Sequence, residues 1–170
     1  MAIKSFFVRN EVIDGAAGAL NYAVYLKDEN HPNHESRTKC VRILNDPTEI
    51  ALQAIQDGAE IDLRNKKAKK GGRPVDAYLQ SFVMSPPESA NLSKDDWKEI
   101  SKRMIKELAF KLDMEPKKLM KHCSIYLHEQ DNAHLNIVVN RCIDAESRTR
   151  VLTRPSTTNA IKRAFNEEML

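Results

Sequence analysis

Residues 128–140, "HEQDNAHLNIVVN", place two of the chain's five histidines six positions apart, and an apolar run follows. "KHCSIYLH" (121–128) and "HLNIVVNRCI" (134–143) read as two strands joined by the polar loop "EQDNA". Side chains alternate faces along a strand, so residue parity sorts the pair. If the loop closes with His128 opposite His134, Tyr126 lies opposite Asn136, and opposed residues share a face. Cys123, Ile125, Leu127, Leu135, Ile137 and Val139 then form one apolar face. His128, His134 and Asn136 gather on the other, with Tyr126 beside them. Two imidazoles and an amide oxygen make a candidate divalent-metal site. The neutral oxygen and the lack of a thiolate favour Mg²⁺ or Mn²⁺ over zinc. The alternative is a polar, exposed sheet face that carries histidines without a metal.

Outward from the hairpin, "AIKSFFVR" (2–9) is expected to be a first strand and "GAAGALNYAVYLKDE" (15–29) a helix. Residues 30–76 show little pattern beyond a short helix at "DPTEIALQAIQDG" (46–58). The segment 64–73 holds Arg64, Lys66, Lys67, Lys69, Lys70 and Arg73 with a Gly-Gly, and reads as a mobile basic loop. "DAYLQSFVMS" (76–85) reads as a strand ended by prolines. Ser93 is placed to cap a helix over 94–113, whose Trp97, Ile100, Met104, Ile105, Leu108 and Leu112 recur at helical spacing. "SRTRVLTRP" (147–155) reads as a basic turn and short strand, and 156–170 as a final helix capped by Ser156. The expected fold is α+β: an antiparallel sheet of about five strands with helices on one face.

The 170 residues suit a single domain, 41% hydrophobic and 30% charged, as in ordinary globular chains. No apolar run approaches the ~18 residues of a membrane span, and the N-terminus lacks a signal peptide's apolar core. Cys40, Cys123 and Cys142 are scattered and odd in number, which fits free thiols and a cytoplasmic location. A net charge of +3 does not by itself call for nucleic acid.

The stretch "YLHEQDNAHLNIVVN" resembles the metal-binding motif of the HUH endonucleases, in which a histidine precedes a His–hydrophobic–His strand ending in Asn. The chain is similar, more specifically, to plasmid mobilization relaxases. "MAIKSFF…GAAGALNYAVYL" is like their first strand and tyrosine-bearing helix. "AYLQSFVMSPPESANLSKDDWKEISKRMIKEL" is like the strand, proline and helix before the motif, and "NRCIDAESRTR" is like the stretch after it. The order of these segments strengthens the likeness. Tyr22 and Tyr25 precede the hairpin, as the relaxase tyrosine does; in replication initiators and many transposases it follows. Asn136 departs from the usual third histidine, although a branch of small relaxases uses Asn there.

The resemblance implies a ferredoxin-like sheet and transesterification on single-stranded DNA at a transfer origin, one carrying an adjacent hairpin included. It implies a divalent metal, Mg²⁺ or Mn²⁺, held by His128, His134 and Asn136. Relaxosome accessory proteins would be partners, and residues 1–170 could be the nicking domain of a longer protein. Tyr22 is the expected nucleophile: if Leu20 and Val24 face the core, it points away from it, with Tyr25 in reserve. Tyr126, Glu129, Asp131 and His122 are supporting candidates, and Glu29 is a further acid one turn beyond Tyr25. The basic segment 64–73 with Arg148, Arg150 and Arg154 is the expected DNA-backbone footprint. His31 and His34 are expected to face solvent. A replication initiator or transposase, or a non-catalytic single-strand-binding domain, are the competing readings.

Overall fold

The computed structural model describes residues 7–34, 38–87 and 90–169. Its centre is the expected hairpin: β4 (Cys123–Glu129) and β5 (His134–Asn140) pair antiparallel, with His128 opposite His134 and Tyr126 opposite Asn136. Three further strands are β1 (Phe7–Asp14), β2 (Lys39–Leu44) and β3 (Ala77–Ser85). They complete one antiparallel sheet in the order β1-β3-β5-β4-β2. The fold is α+β, a five-stranded antiparallel sheet covered by helices.

Helices cover both faces rather than the expected one. The odd-numbered hairpin residues pack under α3 (Lys94–Leu112) and α6 (Pro155–Glu168), and Phe165, Leu108 and Ile137 are fully buried. Burying each such side chain contributes about 1.5–3 kcal/mol. The even-numbered face carries the histidines, but also Val138, and Leu79 of β3 shares it; both are wholly buried. Those apolar groups need cover, and α1 (Ala16–Lys27) with α2 (Pro47–Lys67) supplies it. The stripe Trp97, Ile100, Met104, Ile105, Leu108 and Leu112 is buried throughout, as its spacing requires.

Several local expectations are corrected. The first strand runs Phe7–Asp14, and residues 2–6 of the expected strand lie outside the described residues. The patternless stretch contains β2 and a 21-residue helix, α2. Asp46 caps α2, its side chain accepting from Thr48 N at 2.8 Å, and Pro47 suits the first turn. Gly58 does not end this helix. A Cβ there would lie 2.6 Å from the Tyr78 ring, so the glycine allows a close approach to β3. Arg64, Lys66 and Lys67 are therefore helical, and only Lys69, Lys70 and Arg73 lie in the following loop.

Residues 147–155 contain no strand. They form a helical turn, α5 (Thr149–Leu152), which buries Leu152. Ser156 does not cap the last helix: Arg154 occupies the cap and Pro155, with no N–H to leave unpaired, takes the first position. A short helix, α4 (Pro116–Met120), precedes β4.

Ser93 does cap α3, in a reciprocal arrangement. Its Oγ accepts from Asp96 N at 3.1 Å, and Asp96 Oδ2 accepts from Ser93 N at 2.7 Å. Replacing Ser93 by Ala should cost about 1 kcal/mol. Urea denaturation should show a lower midpoint with an unchanged slope.

Candidate metal centre

Sheet order builds the site. β4 lies between β5 and β2, so His128 has His134 opposite it on one side and Cys40 on the other. Directly opposed residues share a face, and the three form a row across the sheet. His34, in the loop after α1, reaches the same place: its ring centroid is 4.7 Å from that of His128, which is 5.0 Å from that of His134. His31 packs beside His34 at 5.8 Å. Four of the chain's five histidines thus come together. His34, Cys40 and His128 each offer a ligand atom within 4.8 Å of the others, a possible metal-binding triad.

The hydrogen bonds fix where the lone pairs are. His128 Nε2 lies 3.0 Å from the Leu26 carbonyl, which can only accept, so Nε2 carries the proton and Nδ1 is bare. His134 Nδ1 lies 3.3 Å from the Asn132 carbonyl and 3.5 Å from Gln130 Nε2, and its Nε2 meets His128 Nδ1 at 3.2 Å. Nitrogens about 2.1 Å from one metal are separated by roughly 3.0–3.4 Å, so the same spacing would also suit a shared ion. The His34 ring is held in a similar way. Its Nδ1 donates to the Asp28 carbonyl at 2.7 Å, and its Nε2 is buried with no hydrogen-bond partner.

The electrostatics agree with ligation. Burial, chiefly, pulls His128 down to about 4, against a smaller opposing effect of the Leu26 contact. The ring is neutral at physiological pH, the form that binds metals. Burial, then the Glu29 and Asp28 carboxylates, push the Cys40 thiol up to about 11. Glu29 also accepts the Cys40 backbone N–H at 3.1 Å.

Asn136 is buried on the same face, and its amide nitrogen has no partner. It belongs to the next row, opposite Tyr126 and Val83, about 7 Å further along the strand. The expectation of a site without a thiolate is corrected, because Cys40 stands directly across from His128. The expectation that His31 and His34 face solvent is corrected too, since both are half-buried against Tyr25. His34 and Cys40 were the missed residues. The one local signal for Cys40 was "KCVRIL", a short β-prone run.

Both α1 tyrosines lie over this face. Tyr25 packs on His34 at 4.5 Å and on His128 at 5.9 Å between ring centroids, and Tyr22 stacks on Tyr25 at 5.9 Å. The basis for pointing Tyr22 away from the core is corrected: Val24 is 52% exposed, and Ala19, Ala23 and Leu26 are the buried positions. Tyr22 therefore leans onto the sheet, its hydroxyl 2.7 Å from Ser81 Oγ, and burial pushes its pKa up to about 12.

The other candidates scatter. Alternation puts Glu129 on the face opposite His128, and Asp131 is exposed in the loop beside Pro86 and Trp97. His122 lies at the far end of β4, 4.0 Å from Asp144. Part of the basic set lies toward that far end as well. Arg64 donates to the Ala145 carbonyl, Arg148 pairs with Glu146 at 3.2 Å, and Arg73 pairs with Asp76 at 2.8 Å. Lys66, Lys67, Lys69, Lys70, Arg150 and Arg154 are exposed. Arg64 meets Ala145 beyond the end of β5 opposite His134, and the seven residues of β5 span roughly 20 Å, so the histidines and the α2 end of the basic segment lie about one strand length apart.

Among the described residues no helix is long and apolar enough to cross a membrane. A scan against protein-family models and searches of curated proteins and of solved structures return no match to this chain.

Tyr22→Phe should remove the bond to Ser81 and cost about 1 kcal/mol, leaving a buried hydroxyl unpaired. Chemical denaturation of the metal-free protein should show that loss.

Proposed function

We propose that this chain is a relaxase of the HUH endonuclease type, on a ferredoxin-like sheet, that nicks and rejoins single-stranded DNA at a transfer origin. The observation that carries the reading is the tyrosine pair of α1 lying against the cross-strand imidazoles. The relaxase-like order of segments agrees with it, and so does the shared register of the hairpin.

In the proposed reaction a tyrosine hydroxyl loses its proton and its oxygen attacks the scissile phosphorus. The P–O3′ bond breaks, giving a 5′-phosphotyrosine and a free 3′-hydroxyl, and the reverse step rejoins the ends without ATP. A divalent cation held by the histidines would polarise the phosphate and offset charge on its oxygens. Tyr22 and Tyr25 are both candidate nucleophiles. Tyr25 is favoured over Tyr22, because it touches His34 and His128 while the Tyr22 hydroxyl is engaged by Ser81 and held near 12. Exposed Lys66, Lys67, Lys69 and Lys70 are suited to the DNA backbone some 20 Å from the cut, the reach of a few nucleotides.

The test is a pooled single-stranded oligonucleotide library incubated with protein and divalent metal, with covalent adducts resolved by denaturing gel. Adduct should form, EDTA should suppress it, Tyr25→Phe should abolish it and Tyr22→Phe should retain it. Loss in Tyr22→Phe alone would make Tyr22 the nucleophile. No adduct with any oligonucleotide, alongside salt-sensitive binding, would leave a non-catalytic binding module.

A further inference from the structure

We infer that the hairpin histidines are half of a four-donor site, His34, Cys40, His128 and His134, built for a borderline-soft transition ion of the zinc class rather than for Mg²⁺. The inference takes from the proposed function only that the hairpin binds metal; it does not need DNA nicking.

Three strands and a loop contribute: His34, Cys40 and His128 form a triad, and His134 stands beside it through His128. Cys40 of β2, His128 of β4 and His134 of β5 are consecutive across the sheet, and His34 closes over His128 from the end of the α1 loop. For His128, His134 and His34 alike, the ring nitrogen away from the cluster contacts a backbone carbonyl, of Leu26, Asn132 and Asp28. That arrangement is the usual support of ligating histidines: it sets the tautomer, orients the ring and raises its basicity. The nitrogen left over at His34 is buried and unpartnered, which is costly unless something occupies the space it faces.

The donor set decides the ion. Mg²⁺ demands oxygen ligands in octahedral geometry and keeps several waters, and among these four side chains there is no oxygen at all. Three imidazoles and a thiol suit Zn²⁺, Co²⁺ or another late first-row ion in tetrahedral coordination. The donor atoms of His34, Cys40 and His128 lie within 4.8 Å of one another. Tetrahedral edges at Zn–N and Zn–S lengths are roughly 3.4–3.8 Å, so closing these three on the ion needs side-chain movements of about 1 Å, with His134 swinging in beside His128. Cys40 would enter as thiolate, its proton passing to solvent as the metal–sulfur bond forms. Asn136, one row along, would be a neighbour of the ion rather than its third ligand.

Cobalt reports this directly. The EDTA-treated protein would be titrated with Co²⁺ and its absorption spectrum recorded, with Zn²⁺, Mn²⁺ and Mg²⁺ as competitors. The expected result is one equivalent bound, intense visible bands of tetrahedral cobalt, and a near-ultraviolet thiolate-to-cobalt charge-transfer band. Zn²⁺ should displace the signal, and millimolar Mg²⁺ should not. Cys40→Ser should lose the charge-transfer band while keeping some visible absorption, and His34→Gln should weaken binding tenfold or more. Circular dichroism would confirm that both variants fold. Weak, octahedral cobalt spectra, insensitive to Cys40→Ser and competed by Mg²⁺, would overturn the inference, as would full affinity in His34→Gln. The adduct assay is independent. Nicking in Mg²⁺ without the thiolate band sinks this site alone, whereas the band without any adduct sinks the proposed reaction and leaves the site.

Discussion

Everything in the site depends on the register of β4 against β5. A slip of one residue would turn one strand's apolar set, Cys123, Ile125 and Leu127 or Leu135, Ile137 and Val139, away from α3 and α6 and drive that strand's histidine into the apolar layer. Six apolar side chains at about 1.5–3 kcal/mol each hold the pairing far more strongly than any polar contact in the hairpin. His128 and His134 therefore meet because of what lies beneath the sheet, not because they attract each other. Pairing them is a by-product of the core, and this makes it rigid.

The opposite face acquires its chemistry from being covered. Ala19 and Ala23, both without exposed surface, let α1 lie close on the sheet, near enough for the Leu26 carbonyl to reach His128. Larger residues there would lift the helix and free the imidazole to water. Under α1, His128 is desolvated and neutral, and its Nδ1 meets His134 Nε2 at 3.2 Å. The same close packing brings Tyr25 edge-on to His128 and stacks Tyr22 on Tyr25.

Parity and helical spacing were enough to read the hairpin, its register, the α3 stripe and the Ser93 cap, because each is encoded within a few residues. What failed was whatever depends on partners distant in sequence. The buried stripe of α1 is made of alanines, so a wheel weighted toward large apolar residues chose Val24 and turned Tyr22 the wrong way. Gly58 looked like a helix stop until its contact with Tyr78 was visible. Residues 147–155 have a β-branched, basic composition but bury only Leu152, which a single helical turn accomplishes. Cys40 was invisible as a candidate ligand because β2 reaches His128 only through the order β5-β4-β2, and His34 because it joins from a loop, neither of which a local pattern specifies.

That order also bears on stability. β2 is a six-residue edge strand carrying Lys39 and Arg42, short and charged as edges that resist unwanted pairing tend to be. Its anchors are the β4 ladder and the turn that follows, where the Asn45 side chain donates to the Cys123 carbonyl at 2.9 Å and Ser124 Oγ donates to the Asn45 carbonyl at 2.8 Å. The turn bonds lie at the far end of β4, away from the histidines. At the near end the ladder continues to Lys39 opposite Glu129, and Thr38 Oγ1 donates to Gln130 Oε1 at 2.7 Å beside the cluster. In the metal-free chain that end holds the His34 Nε2, buried without a hydrogen-bond partner. Such a group costs about 1–3 kcal/mol. A cation shared by Cys40, His34 and the hairpin would remove that penalty and tie the edge strand and the α1 loop to the centre of the sheet. Ligand binding and local order at this end are then the same event, and the tyrosines packed on the cluster would be ordered with it.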